Sequence, residues 1–311
     1  FNDTATTEIY TNLNTLSLHD ALPIWNLGSI NVDLIYRVPH IPAPGETLAA
    51  TGKQTFLGGK GANMSVSAAR AGATVLHIGA VGREGDWAIA RLAGYGVDTA
   101  NIAKLDTDTG EAVIAVANGG ENAIIINPGA NRGISAEMVG AALAGASPGD
   151  WVVTQNETNA QVEALSLAKS GGLRAAYAAA PFEATAVREA LPFLDLLILN
   201  EIEMQQLTAA LGKGAGDLGV AHVVVTLGAK GAHLYSKGKS APRHFPALKV
   251  TPVDTTGAGD TFTGYLLAGL DRGEAIETAI ERASKAAAIM VTRLGTADVI
   301  PTLAEVDAFE S

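Results

Sequence analysis

The chain has 311 residues, 48 % hydrophobic and 17 % charged, with no cysteine and a formal net charge of −11. High hydrophobicity at low charge density supports a sizeable core and excludes disorder over most of the chain. The missing thiols exclude a disulfide scaffold, thiolate zinc and iron–sulfur sites and cysteine chemistry, and the acidic balance argues against nucleic acid as a partner while leaving room for a small anion in a local site.

Residues 1–21 are rich in Thr, Asn and Leu and show no clean period, so they read as an extension outside the fold, disordered or artefactual. No Lys or Arg precedes Arg37, which argues against secretory and organelle-transit signals. No apolar run approaches the roughly 20 residues that span a bilayer, so no membrane partner is expected and the expected location is the cytoplasm. From residue 22 to 311 short β-rich runs at 24–30, 74–81, 151–154, 196–199 and 222–227 alternate with helical stretches at 62–71, 86–94, 160–169, 201–211 and 259–270. Continuous apolar strands with intervening helices predict one doubly wound α/β domain with a mainly parallel sheet. Two segments break the alternation. One, 36–56, carries Pro39, Pro42, Pro44 and Gly45; the other, 111–127, turns at Asn118-Gly119-Gly120 and reads as a β-hairpin. Both are assigned to a small β-sheet protruding from the domain, either a lid over the ligand crevice or ordinary surface hairpins.

Several glycine-rich constellations fall at the expected carboxyl ends of strands, where open α/β sheets bind ligands. Gly28-Ser29-Ile30-Asn31-Val32-Asp33 closes the first run; Asn31 and Asp33 alternate by two and point to one side, where they suit vicinal hydroxyls, although Asn-x-Asp is also common in turns. Gly58-Gly59-Lys60-Gly61-Ala62-Asn63 precedes a helix and adds a cation and an amide to an exposed backbone, a mixture that suits a polyhydroxyl ligand or its phosphate, or simply a loop entering a helix. Asn200-Glu201-Ile202-Glu203 has the form of a capping box, with magnesium ordering by Glu203 as the alternative. Thr226-Leu227-Gly228 allows close approach of a nucleotide.

The most specific segment is Asp254-Thr255-Thr256-Gly257-Ala258-Gly259-Asp260-Thr261-Phe262. Small residues at 257–259 opening a helix leave free N–H groups and a positive dipole end for an anion. A carboxylate at 260 beside that anion either caps the helix or accepts a proton from a hydroxyl attacking a phosphate. The segment is neither a P-loop nor a dinucleotide fingerprint.

Together, Gly59-Lys60-Gly61-Ala62-Asn63 and the segment 254–262 resemble the ribokinase family of sugar and nucleoside kinases, also called the phosphofructokinase-B family, and the resemblance runs from about residue 22 to the C-terminus. It implies a ribokinase-like fold with a β lid and transfer of the ATP γ-phosphate to a hydroxyl of a free sugar. Asp260 matches the catalytic base, and the amides of Gly257, Ala258 and Gly259 match the anion hole. Asn31, Asp33, Gly59, Lys60, Asn63 and Glu157 match sugar-binding positions. Asn200 and Glu203 match a motif near Mg2+ and the phosphates, and Thr226 and Gly228 a nucleotide loop. Asp254 and Thr256 fall where the family holds a monovalent cation (K+), with carbonyls from 291–295. The lid segments match a sheet through which members form a homodimer. Departures are Met64 in place of the family's frequent Gln, a shortened 82–87 loop, and Trp25 and Asn26 where the first strand is usually aliphatic. A non-catalytic sugar- or nucleotide-binding protein and a nicotinamide-dependent oxidoreductase are the readings from other classes.

Overall fold

The computed structural model describes residues 22–309, so the expected extension over 1–21 lies outside the described residues. In chain order the elements are β1 (Ile24–Leu27), β2 (Asn31–Val38), β3 (Gly52–Gly58), α1 (Lys60–Arg70), β4 (Val75–Val81), α2 (Asp86–Gly94), β5 (Ile102–Lys104), β6 (Gly110–Ala117), β7 (Asn122–Asn127) and α3 (Ala136–Leu143). They continue with β8 (Trp151–Gln155), α4 (Gln161–Ser170), β9 (Arg174–Ala178), α5 (Ala184–Ala190), β10 (Leu196–Asn200), α6 (Glu201–Leu211), β11 (His222–Thr226), β12 (Ala232–Ser236), β13 (Arg243–Phe245), α7 (Ala258–Asp271), α8 (Ile276–Met290) and α9 (Leu303–Asp307).

Among the described residues the large sheet has nine strands in the order β13-β12-β11-β10-β9-β8-β1-β4-β5, and the small sheet four in the order β3-β2-β6-β7. From β11 to β5 the large sheet is parallel; β12 and β13 add an antiparallel edge. Every residue of β1 and β8 is buried, as a sheet covered on both faces requires. Alternate side chains feed two cores. Ile24, Val75, Val153, Ile198 and Val224 pack with α1, α7 and α8. Leu27, Val152, Tyr177, Leu197 and Val225 pack with α3 to α6. This is the doubly wound α/β arrangement expected from the alternating runs.

The run over 24–30 is not one strand. The central strand ends at Leu27, and after Gly28-Ser29-Ile30 the chain enters β2 of the small sheet. Asn31 and Asp33 therefore sit on the small sheet rather than at the tip of a central strand. Ile30 is fully buried, so hydropathy alone runs through the break. The predicted hairpin is β6–β7, paired Glu111↔Asn127 through Val116↔Asn122. The other small-sheet segment is displaced from 36–56: its strands are β2 and β3, paired Asn31↔Gly58 through Arg37↔Gly52, with the proline-rich stretch between them.

Candidate active site

Helix α7 positions the site. Eleven of its 14 residues are buried, and it packs between α1 and α8. Its N-terminal loop is anchored to the end of α8, where the amides of Val253 and Asp254 both donate to the Val291 carbonyl, at 2.7 and 3.1 Å. The chain turns into the helix at Gly257, whose φ of 77° lies in the left-handed region that favours glycine. Among the described residues the amides of Gly257 and Gly259 meet no acceptor. That of Ala258, expected free, donates to the Thr255 carbonyl over a long 3.3 Å. A Cβ added at Gly259 would meet nothing within 4 Å, so the first turn faces open space. The Asp260 side chain is buried and accepts a hydrogen bond from Asn63 Nδ2 at 2.9 Å. Burial pushes its carboxyl upward, Lys60 and the Asn63 bond pull it back, and the charge of Glu157 adds to the rise.

The glycine-rich loop forms the second wall. Gly61 packs on Gly28 so closely that a Cβ on either would lie 2.4 Å from the other's backbone. The Ala62 amide donates to the Ser29 carbonyl at 2.9 Å. Here glycine serves backbone packing where the loop enters α1, and Gly61 is not the exposed backbone that the sequence suggested for this loop. Glu157 Oε2 accepts from the Lys60 amide at 2.9 Å and from Ser29 Oγ at 2.5 Å, holding the start of α1 against the Gly28 turn. Asp33 lies over Gly58. Its burial, with the charges of Glu157 and Asp260, pushes its carboxyl up to about 7 against the opposing pull of Lys60. Lys60 faces four carboxylates, Asp260 first, then Glu157, Glu203 and Asp33, and they hold its ammonium protonated above its ordinary range despite burial. Asn31 Oδ1 accepts from Asn131 Nδ2 at 2.7 Å, and Asn131 also bonds the Ile30 amide and carbonyl. Sequence reasoning missed Asn131. Its one local signal is the Pro128-Gly129 turn three residues earlier, and its partner lies a hundred residues away.

Asn200 and Thr226 are register partners at the carboxyl ends of β10 and β11. Asn200 and Glu203 form a reciprocal capping box at the start of α6, with bonds of 2.9 and 2.7 Å. The capping alternative is therefore realised, and it uses one carboxylate oxygen of Glu203; burial raises the carboxyl. Gly228 follows Thr226 with φ 58°. The Asp254 carboxylate accepts from the amides of Thr256 at 2.9 Å and Gly295 at 3.3 Å, tying the loop before α7 to the segment after α8. Among the described residues no group of three His, Cys, Asp or Glu side chains could hold a metal ion. The structure thus brings Asp33, Lys60, Asn63, Glu157 and Asp260 into one cleft and sets Asn31 at its margin. Glu203 is within electrostatic reach of Lys60, Thr226 and Gly228 lie along the neighbouring strand ends, and Asp254 and Thr256 make no hydrogen bond to Asp260.

A family model described as pfkB family carbohydrate kinase matches residues 24–303. The chain belongs to that family. The kinase is 37 % identical over 294 residues to a ribokinase of Haemophilus influenzae, covering 90 % of this chain and 95 % of the relative. Among solved structures, a ribokinase of Thermotoga maritima superposes with a TM-score of 0.83 at 34 % identity, over 92 % of this chain and 98 % of that one. An Arabidopsis thaliana ribokinase complexed with ribose and ATP superposes with a TM-score of 0.81 at 28 % identity, over 93 % of this chain and 100 % of that one. The kinase is thus similar to ribokinases over nearly its whole described length, including the small sheet. No described helix is long and apolar enough to cross a membrane.

Proposed function

We propose that this kinase transfers the γ-phosphate of ATP to the primary hydroxyl of D-ribose, giving ribose 5-phosphate. The observation that carries the reading is Asp260, a buried carboxylate in the first turn of α7, held by Asn63 beside the lysine that four acids share. Asn31, Asp33, Gly59, Lys60, Asn63 and Glu157 hold the sugar. Asp260 takes the proton from the attacking hydroxyl, while the free amides of Gly257 and Gly259 receive the charge of the migrating phosphoryl group. Carboxylates accept two or more hydroxyl donors each, which suits an unphosphorylated sugar; a sugar phosphate needs a second local cation, and Lys60 is already shared among four acids.

Asn200, Thr226 and Gly228 hold the nucleotide. Glu203 keeps one carboxylate oxygen outside its capping bond, and with no three-carboxylate cage among the described residues the donors fit a magnesium ion that arrives with the phosphates, Glu203 holding its water shell. That ion supplies charge neutralisation on the transferring group. The Asp254–Thr256 loop and the 291–295 segment present hard oxygen donors, which fit a monovalent cation such as K+; Asp254, whose oxygens take two amides, fixes the loops rather than serving as an open ligand. The small sheet acts as the lid that excludes water, and a second copy of the chain packs against it as a homodimer. A cytoplasmic location accords with this chemistry.

The test is ADP release with a panel of ribose, fructose, fructose 6-phosphate and adenosine, with and without K+. Ribose should give the highest kcat/KM, raised by K+. Preference for another acceptor overturns the ribose assignment, and equal rates with and without K+ overturn the cation site. Tight ribose binding with no ADP release from any acceptor would make the chain a binding protein.

A further inference from the structure

Behind the glycine-rich loop runs a string of buried polar side chains that the phosphoryl-transfer chemistry does not use. Asn26 on β1, Ser65 on α1, His77 on β4 and Gln155 on β8 are each at most 1 % exposed. Apolar residues normally fill such strands, and a polar group there costs free energy unless it is bonded. These four bond to one another and to the main chain of the site. Gln155 Nε2 donates to Asn26 Oδ1 at 2.8 Å. Asn26 Nδ2 donates to Ser65 Oγ and to the Gly61 carbonyl, both at 2.8 Å. Ser65 Oγ and His77 Nδ1 are 2.8 Å apart, and His77 Nε2 lies 3.1 Å from the Gly28 carbonyl.

The direction of every bond follows from chemistry. The Gly28 carbonyl can only accept, so His77 Nε2 carries the proton. Burial keeps the imidazole neutral, moving its pKa down to about 4, so Nδ1 accepts and Ser65 Oγ donates to it. The Ser65 oxygen is then free to accept from Asn26. Both Asn26 amide hydrogens and its oxygen are used, which fixes the orientation of that side chain. The string therefore runs one way, from Gln155 to Asn26 to Ser65 to His77, and it ends on two main-chain oxygens, Gly61 and Gly28. Those two glycines are in backbone contact with no side chain between them. Gly28 leads into the turn carrying Ser29 and Asn31, and Gly61 sits in the turn carrying Lys60 and Asn63.

We infer that Asn26, Ser65 and His77 are positioning residues of the sugar pocket, clamping the Gly28 turn and the Gly61 turn at one fixed separation. Bare glycine–glycine contact is non-directional and resists sliding weakly, whereas two directed hydrogen bonds set the offset of the turns; a misplacement of about 1 Å costs on the order of 10²-fold in a well-aligned site. The inference rests on the sugar-site reading above.

The test removes the two clamping donors and the serine between them, Asn26→Leu with Ser65→Ala and His77→Phe, which leaves a core of similar volume while Gln155 Nε2 loses its acceptor. We expect the triple variant to fold, with the KM for ribose raised about tenfold and kcat and the KM for ATP within twofold of wild type. His77→Gln alone keeps a donor for the Gly28 carbonyl and should stay within threefold of wild type. A lowered Tm with unchanged ribose KM makes the string structural only and overturns the inference. So does an equal rise in both KM values, or a His77→Gln variant as impaired as the triple one. If the wild-type protein phosphorylates no sugar, the site reading itself fails, and the clamp is judged by hydrogen exchange. Amides of 28–31 and 59–63 should then exchange faster in the triple variant while those of α8 stay unchanged, and equal exchange throughout overturns it.

Discussion

Asp33 and Asp260 are both buried, but what opposes their burial differs. At Asp260 the ammonium of Lys60 and the Asn63 amide favour the ionised form, while burial, the larger effect, raises the carboxyl and makes it a stronger base. Replacing it by Asn keeps the shape and the neighbouring turn, so sugar binding should persist in a calorimetric titration while kcat falls by about 10² or more; near-normal turnover would remove Asp260 from the mechanism. At Asp33 Lys60 alone opposes burial and two neighbouring acids, and the carboxyl rises from 3.8 to about 7. Between those values the folded state binds a proton that the unfolded state has lost, so this group's contribution to stability falls as pH rises through the window. Asp33→Asn should therefore raise the Tm of the ligand-free protein at pH 8 and leave it unchanged near pH 4, while ribose affinity at pH 8 drops through loss of the ionised acceptor. Thermal denaturation at the two pH values, with a sugar titration at the higher one, checks both parts; an equal Tm change at both would remove the titration from the account.

The helix-opening turns separate what glycine does for folding from what it does for chemistry. At Gly259 an added methyl meets open space in the first turn of α7. Gly259→Ala should keep or slightly raise the stability, by the few tenths to about 1 kcal/mol that reduced chain entropy supplies, while it crowds the phosphate and lowers kcat/KM for ATP. Gly61→Ala drives a methyl to 2.4 Å from the Gly28 backbone. It should lower stability by about 1–3 kcal/mol, as overpacking does, before any effect on turnover is read; denaturant titrations set beside steady-state rates distinguish the two. Sequence alone made α7 legible, because a run of small residues opening an apolar helix has few other uses. It did not show which glycines face ligand and which face backbone, since both requirements select the same residue. The break after Leu27 was hidden because Ile30 is as buried in a turn as it would be in a strand. Asn131 and the string from Gln155 to His77 were illegible for another reason: their partners lie 12 to 129 residues away on different elements, so only the fold brings them together. Edge strands β12 and β13 and helix α8 also escaped the reading. The first two are short and carry polar and histidine residues, and α8 is rich in alanine, which marks neither a core face nor a strand.

At the scale of the whole molecule the small sheet poses a solvation problem. Its β7 edge is exposed at every residue and carries Ile124, Ile125 and Ile126 at 53, 72 and 55 % exposure. Three adjacent isoleucines on an unpaired strand edge are a standing invitation to association, and natural edges usually blunt it with charge or proline. This edge has neither within the strand. A self-complementary contact between two copies covers such a patch on both at once, and it braces β2, the strand that carries Asn31 and Asp33, through its neighbour β6. Sedimentation should accordingly show a mass twice the 31.7 kDa chain. Ile124→Lys with Ile126→Lys, two changes on one face of β7, should give a single-chain mass. Because the brace acts on the sugar wall and not on the nucleotide loops, the same variant should raise the KM for ribose several-fold and leave that for ATP unchanged. A wild-type protein that sediments as one chain removes the homodimer. A variant that stays dimeric moves the interface off this edge, and a single-chain variant with normal ribose KM separates dimerisation from the pocket.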